Sequence, residues 1–378
     1  MTKVNFVILA AGKGTRMRSA IPKVLHKVSG RSMLGHVVAA VESLGKAKKI
    51  IVTGHGAEQV EQQFKSPTTI FTQQKEQLGT GHAVQMAIPA LCSDAVVIVL
   101  YGDVPLIRPS TIEKILDVVT ETTMGLLTIN LENPQGYGRI VRNGQQEITE
   151  IIEQKDASVE QLKITEVNTG VLALRSTQLR EWLPKITNNN AQGEYYLTDL
   201  VAIARAEGVE VISVNPESAT EVEGVNNRIQ LSQLERAHQR QLAEVLMESG
   251  TSLADPARFD QRGELNAGTD NFIDINCVFE GSVSIGNNVS IGANCHIINS
   301  TIGDDVAILP NTIIESSVVG DRAVIGPFAR LRPGTELGSD TKVGNFVETK
   351  KAVVGKGSKI NHLSYVGDAQ LGENVNIG

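Results

Sequence analysis

Over the first two hundred or so residues the apolar positions follow two alternating patterns. Short apolar runs at residues 4–9, 49–53, 69–72 and 95–100 read as strands, while 33–44, 57–64, 79–90 and 110–119 carry apolar residues at helical spacing. Parallel neighbours need a crossover between them, so this alternation predicts an α/β domain whose mostly parallel sheet is covered on both faces. Ligands of such sheets lie beyond the carboxyl ends of the strands, which directs attention to the loops after Leu9 and Leu100.

The pattern changes at residue 226. From there to about 250, Ile229, Leu231, Leu234, Leu242, Val245 and Leu246 recur near a 3.6 period and a Ser-Gly pair ends the run, as expected of a linker helix. After Cys277 an aliphatic residue followed by glycine recurs eleven times, at Ile285, Ile291, Ile302, Val319, Ile325, Leu337, Val343, Val354, Val366, Leu371 and Ile377. Many gaps are six, or twelve where Arg332 follows Leu331 and Asn361 follows Ile360; gaps of 11 and 5 mark imperfect turns. Aliphatics at this period predict hexapeptide coils of a parallel β-helix, each burying its aliphatics against the next. The expected division is 1–228, a linker helix over 229–249, and a solenoid over 250–378. The repeat breaks off at Ile377-Gly378 with no polar capping coil, which implies a covering partner or a shortened chain.

Composition narrows the function. The chain has 378 residues, 41% of them hydrophobic and 4% aromatic, with a single Trp, which disfavours a base-stacking surface for nucleic acid. No apolar run approaches the roughly 20 residues of a membrane span, and we read the first run as a buried strand rather than a signal peptide. Three widely spaced cysteines without a C-x-x-C fit a reducing cytoplasm. Seven cations, Lys3, Lys13, Arg16, Arg18, Lys23, Lys27 and Arg31, precede the first acid, Glu42, so residues 1–41 carry +7 in a chain of formal net charge −7. A basic segment interleaved with glycines in an acidic protein is suited to a compact anion.

That segment is AAGKGTRMR, residues 10–18, directly after the first strand. Glycines there let backbone N–H groups approach phosphate oxygens. The dinucleotide fingerprint is excluded by Met17 where it needs Gly, and no P-loop sequence occurs. Arg16 adds a fork of donors and Lys23, after Ile21-Pro22, a point charge, both suited to phosphate.

L-x-x-G-x-G-T-R followed by P-K resembles the signature of sugar-phosphate nucleotidyltransferases. LAAGKGTRM, PKVLH, EQLGTGHA, YGDVPL, GYGRI, EVNTG, NNNAQGEYYLTD and EVEGVNNR, in that order and followed by hexapeptide repeats, resemble the bacterial bifunctional N-acetylglucosamine-1-phosphate uridyltransferase/glucosamine-1-phosphate acetyltransferase family along the whole chain. The resemblance implies a Rossmann-like domain and a left-handed β-helix, a cytoplasmic homotrimer, UTP and N-acetylglucosamine 1-phosphate as substrates, and no nucleic-acid or membrane partner. A phosphate nucleophile needs no general base, so the chemistry calls for positioning, cations and a metal. By the resemblance Arg16 and Lys23 meet the triphosphate, and Leu9, Ala10, Ala11 and Gly12 the nucleotide. Gln74, Gly79 and Thr80 would contact uracil, and Tyr101, Gly102, Gly138, Glu153 and Asn168 the nucleotide sugar, while Asp103 and Asn226 would hold Mg2+. From the residues alone, Thr80 reads equally as a helix N-cap, Asp103 as a turn cap and Glu153 as a solvated strand-end charge.

In the solenoid the resemblance makes His362 the base for attack of the glucosamine 1-phosphate amine on acetyl-CoA. Arg332, Lys350, Tyr365 and Asn376 would hold the sugar phosphate. On its own His362 reads as a hydrogen-bonded wall residue, and the adjacent Cys295 and His296 read as structural, because two neighbours cannot close a tetrahedral metal site. Family members continue beyond the position of Gly378 through coils that bind acetyl-CoA, so acetyl transfer is expected to be deficient in these 378 residues. The competing readings are another sugar-1-phosphate nucleotidyltransferase and a non-catalytic scaffold subunit on the same plan.

Overall fold

A computed structural model describes residues 3–45 and 48–378. The chain forms two compact units: one takes the residues up to Lys27 together with Ser32–Leu234, the other Val28–Arg31 with Glu235–Gly378.

The first unit is built on nine strands: β1 (Val4–Ala10), β2 (Lys48–Thr53), β3 (Thr69–Gln73), β4 (Val96–Tyr101), β5 (Thr123–Asn130), β6 (Arg139–Arg142), β7 (Ile148–Ile152), β8 (Glu166–Arg175) and β9 (Glu210–Val214). They run in the order β9-β5-β8-β4-β1-β2-β3, with the hairpin β6–β7 joined to β8 through β6. β4, β1, β2 and β3 are parallel, as the sequence pattern predicts; β8 runs antiparallel between β4 and β5.

The unbroken apolar run of β1 has a physical cause. Phe6, Ile8 and Ala10 enter one core with Leu34, Val37, Val38 and Val41 of α1 (Met33–Ser43). Val7 and Leu9 enter the opposite core with Val84 and Ala87 of α3 (Thr80–Ala87), which follows α2 (Ala57–Phe64). Covered on both faces, the strand is apolar from Phe6 to Ala10, and its one polar residue, the fully buried Asn5, accepts on Oδ1 from Cys92 N–H at 3.4 Å. α4 (Pro109–Asp117), α5 (Ser176–Trp182) and α6 (Asp199–Ala206) complete the cover. The chain leaves β1 toward β2 and returns to β4 on the other side, so a crevice opens beyond the carboxyl ends of β1 and β4.

The second unit is a three-sided parallel coil, the architecture of a left-handed β-helix. One side is a ladder of eight parallel strands from Thr251–Leu253 to Asn376–Ile377; the other two sides share the long strand Cys277–Ile285. Ile291, Ile308, Ile325, Val343, Ile360 and Ile377 stack in register, and all but the last are fully buried. Successive coils are therefore 17 or 18 residues long rather than uniformly 18. The missing residue falls on the side that runs from Ile297 to Ile302, from Ile314 to Val319 and from Thr349 to Val354, the physical origin of the gaps of 5 and 11. From Ile291 onward the one 18-residue coil is that in which Arg332 separates Leu331 from Leu337.

α7 (Arg228–Glu248) buries Leu234 at its first end and, in the second unit, sets Ala243 and Leu246 in the solenoid core. Ile229 and Val245, which the periodic reading also counted as apolar-face positions, are 71% and 64% exposed. Between those ends the buried position is polar: Gln239, 1% exposed, donates to Gln261 O at 2.8 Å.

Candidate active site

The loop after β1 and the loop after β4 close the crevice. Residues 11–14 leave β1 as open loop, followed by a short turn, Thr15–Met17, and by a second, Lys23–Leu25. The two glycines have different duties. Gly14 has φ +59°, and a Cβ there would stand 2.6 Å from Lys23 Cβ; Gly12 has open space where its Cβ would be and lines the cavity. Gly14 thus serves the loop's packing, whereas the room beside Gly12 is room for a ligand.

The cavity, about 250 Å³, is lined among others by Leu9, Ala10, Ala11, Gly12, Lys23, Gln74, Gly79, Thr80, Tyr101 and Asp103. Ten expected site residues are thereby brought to one place. Gly102, next to them, donates its N–H to Leu9 O at 2.9 Å and ties the two loops. Val24, Gln77, Ala83 and Glu194 also line the cavity and were not read from the sequence. Glu194 lies inside the quoted NNNAQGEYYLTD segment, but nothing local marks its side chain as inward-facing.

At one edge four charged or polar side chains converge. Lys23 Nζ pairs with Asp103 Oδ2 and donates to Asn226 Oδ1 at 3.3 Å; Arg16 Nη2 donates to the same Asn226 oxygen at 3.0 Å. Asp103 therefore spends its carboxylate on a cation and not on a turn. Two hard oxygen donors aimed at one positive centre are the donor chemistry a magnesium ion takes, with water and phosphate oxygens filling the remaining positions. Val225 N–H donates to Asp103 O at 3.0 Å, which holds the two segments side by side.

Among the other lining residues Gln74, 4% exposed, donates from Nε2 to Gly79 O at 3.0 Å and approaches His82 Nδ1 at 3.2 Å. Gly79, not Thr80, is the N-cap of α3; the Thr80 hydroxyl oxygen accepts from Leu197 N–H at 3.1 Å. A Cβ on Gly79 would meet Tyr195 O at 2.6 Å, so this glycine is set by close backbone packing.

Tyr101 joins this cavity to a second group. Burial, and then the charges of Asp103 and Glu153, push its hydroxyl far above the ordinary tyrosine range, so it remains a neutral donor. Its ring lies over Gly170, where a Cβ would come within 2.5 Å of the ring; that glycine, at φ +92°, closes the EVNTG segment but was not among the expected site residues. Asn168 donates its N–H to Gly138 O at 2.9 Å, and Glu153 lies beside Gly138, accepting from Thr198 Oγ1 at 3.2 Å. Glu153 is mostly buried rather than solvated. Desolvation, with Asp156, Asp199 and Glu194 nearby, raises its pKa above the usual carboxylate value, and the Thr198 hydrogen bond opposes the rise.

In the solenoid unit Arg332 Nη1 donates to Glu348 Oε1 at 2.7 Å, and the Arg332 N–H bond to Thr349 O at 2.9 Å sets Arg332 beside Lys350 of the next coil. Tyr365 follows one coil on, in register with Glu348, and is 62% exposed. His362 is exposed at the end of the neighbouring side, in register with Asn345, and Asn376 accepts from Asn361 Nδ2 at 2.8 Å. Among the described residues no hydrogen bond joins these five side chains to one another, and the His362 ring makes none, contrary to the wall reading. His296 Nε2 stands 3.5 Å from Glu280 Oε2.

Fold and crevice together define a sugar-1-phosphate nucleotidyltransferase domain followed by a hexapeptide-repeat acyltransferase domain. Residues 6–146 match the MobA-like NTP transferase domain family, and residues 263–354 match the GMPPB C-terminal domain family. The bifunctional protein GlmU of Marinobacter nauticus is 58% identical over 378 residues, all of this chain and 83% of that protein. The bifunctional protein GlmU of Burkholderia multivorans is 52% identical over 375 residues, 99% of this chain and 83% of that protein. A crystal structure of UDP-glucose pyrophosphorylase complexed with UDP-glucose, 17% identical, covers 64% of this chain and 100% of its own with a TM-score of 0.52, a likeness of fold. The chain belongs to the family of bifunctional GlmU proteins.

Proposed function

We propose that the first unit transfers uridylyl from UTP to N-acetylglucosamine 1-phosphate, giving UDP-N-acetylglucosamine and pyrophosphate. The observation that carries this reading is the convergence of Arg16, Lys23, Asp103 and Asn226 at one edge of a cavity floored by the glycine loop. Two anionic substrates must meet, and the barrier lies in their repulsion and in the charge that moves onto the pyrophosphate. Arg16 offers a guanidinium fork and Lys23 an ammonium to the triphosphate, so leaving charge is met by donors already in place. With Arg16 and Lys23 turned to the phosphates, Asp103 and Asn226 would hold Mg2+, which would supply further charge neutralisation. Gln74, Gly79 and Thr80 hold the uracil; Tyr101, Gly138, Glu153 and Asn168 hold the sugar, with the phenol donating and the carboxylate accepting.

The decisive assay is pyrophosphate release from UTP and N-acetylglucosamine 1-phosphate with and without Mg2+, run beside dTTP, ATP and glucose 1-phosphate. Turnover that prefers another pair redirects the substrate assignment. Asp103→Ala is expected to lower turnover at least about 100-fold with the fold intact. Unchanged turnover removes the metal assignment.

For the second unit the proposal is acetylation of glucosamine 1-phosphate by acetyl-CoA, with His362 as base and Arg332, Lys350, Tyr365 and Asn376 on the sugar phosphate, in a homotrimer. Their spread over neighbouring coils without mutual bonds is what a site completed by an adjacent prism would leave in one chain. The expected deficiency in acetyl transfer concerns a polypeptide of these 378 residues; CoA release at full rate from glucosamine 1-phosphate and acetyl-CoA overturns it.

A further inference from the structure

Thr198 stands at the N-cap of α6, where a threonine hydroxyl normally accepts from a backbone N–H of the first turn. Here it caps nothing, and the hydroxyl instead donates to Glu153 Oε1 at 3.2 Å. The residue is 8% exposed, and its segment is pinned to the start of α3: Tyr195 N–H donates to Leu78 O and Gly81 N–H to Tyr195 O, both at 2.8 Å. Glu153 makes no ion pair among the described residues, and the charged groups acting on it are the like charges of Asp156, Asp199 and Glu194. Its carboxylate takes the Thr198 hydrogen bond on Oε1, the oxygen that also packs beside Gly138, where a Cβ would lie 3.5 Å away, and among the described residues no donor reaches Oε2. At φ −63° and ψ −23° Thr198 is itself helical, and the first N–H groups of α6 bond to carbonyls of the preceding turn, Asp199 N–H to Tyr196 O at 3.3 Å and Leu200 N–H to Leu197 O at 3.1 Å, so the hydroxyl has no cap to make and holds one oxygen of a carboxylate in place.

We propose that Thr198 is a positioning residue of the sugar subsite, orienting the Glu153 carboxylate so that its free oxygen accepts from a hydroxyl or amide of the sugar. This rests on Glu153 being the sugar contact proposed above. Thr198→Val removes the donor at nearly constant shape, and because no cap bond is lost the melting temperature should stay within about 2 °C of wild type. KM for N-acetylglucosamine 1-phosphate should rise about tenfold, while KM for UTP and kcat stay within about twofold. Thr198→Ser should restore the wild-type KM, and Thr198→Ala should behave as Val does. The pH profile gives a second readout: sugar KM rises in acid as Glu153 takes up its proton, and in Thr198→Val that rise should begin at higher pH, since the bond favouring the ionised form is gone. Asp156, Asp199, Glu194 and Tyr101 face the same carboxylate and remain unchanged in the variant. An unchanged sugar KM, equal rises in both KM values, or failure of Ser to rescue overturns the proposal. Glu153→Gln is the reference. If it leaves sugar KM unaltered, the Glu153 assignment falls and this proposal with it; if it raises sugar KM while Thr198→Val does not, this proposal alone falls. A wild-type protein inactive with N-acetylglucosamine 1-phosphate would overturn both.

Discussion

Glycines that look equivalent in the motif separate once their surroundings are considered. Gly14 is held at φ +59° with Lys23 Cβ where its own Cβ would be, and Gly12 faces open space within the cavity. Gly14→Ala should cost roughly 1–2 kcal/mol of stability, through the left-handed backbone and the displaced Lys23, and turnover should fall with it. Gly12→Ala should melt like wild type and yet raise KM for UTP about tenfold or more, because the methyl group would enter the nucleotide's space. Thermal unfolding measured beside UTP kinetics separates the two; a destabilised Gly12→Ala protein would mean that the loop, not the ligand, needs that glycine. The motif string names both residues without distinguishing them, since the difference lies in Lys23, nine positions on.

Within the solenoid the repeated unit explains more than its aliphatics. At one corner of successive coils stand Asn276, Asn294, Asn311, Phe328, Phe346 and Leu363, all with φ between 50° and 62°. Asparagine tolerates this conformation, and the three bond in a ladder, Asn276 Nδ2 to Asn294 Oδ1 at 3.0 Å and Asn294 Nδ2 to Asn311 Oδ1 at 3.3 Å. Phe328 and Phe346 compensate in part by stacking, with ring centroids 5.2 Å apart. Leu363 has neither device and is 75% exposed. Leu363→Asn should therefore stabilise the solenoid by roughly 1 kcal/mol, read as a rise in its melting temperature. No change would mean that the leucine side chain makes up for its backbone strain through contacts elsewhere. The aliphatic repeat was legible because each buried residue recurs at a fixed local interval. The corner was not, because it carries asparagine in three coils and large apolar residues in the next three.

At the scale of the whole molecule, legibility follows sequence distance. The parallel strands β1 to β4 and their helices could be read, since each βα step is local. The antiparallel β8 and its partner β5 were not read, because their pairing is settled by distant neighbours, and the hairpin β6–β7 was not read although its own pairing is local. Lys23 and Asp103 meet across 80 residues only because β1 and β4 are neighbours in the sheet. The same topology sorts six of the seven early cations. Lys13, Arg16, Arg18 and Lys23 belong to the loop and turns beyond the carboxyl end of β1, whereas Lys3 precedes its other end and Arg31 belongs to the solenoid unit. Lys13, Arg16 and Arg18 are exposed, and Lys23 is largely buried against Asp103. Exposed charges act through solvent and are screened over about 10 Å at 0.1 M salt, whereas buried pairs are screened much less. KM for UTP should accordingly climb severalfold as ionic strength rises from about 0.05 to about 0.5 M, with kcat changing far less. Arg18→Gln should flatten that dependence without lowering kcat. A KM indifferent to salt would show that the exposed cations take no part in gathering the nucleotide, and would leave its capture to Lys23 and the backbone of the glycine loop alone.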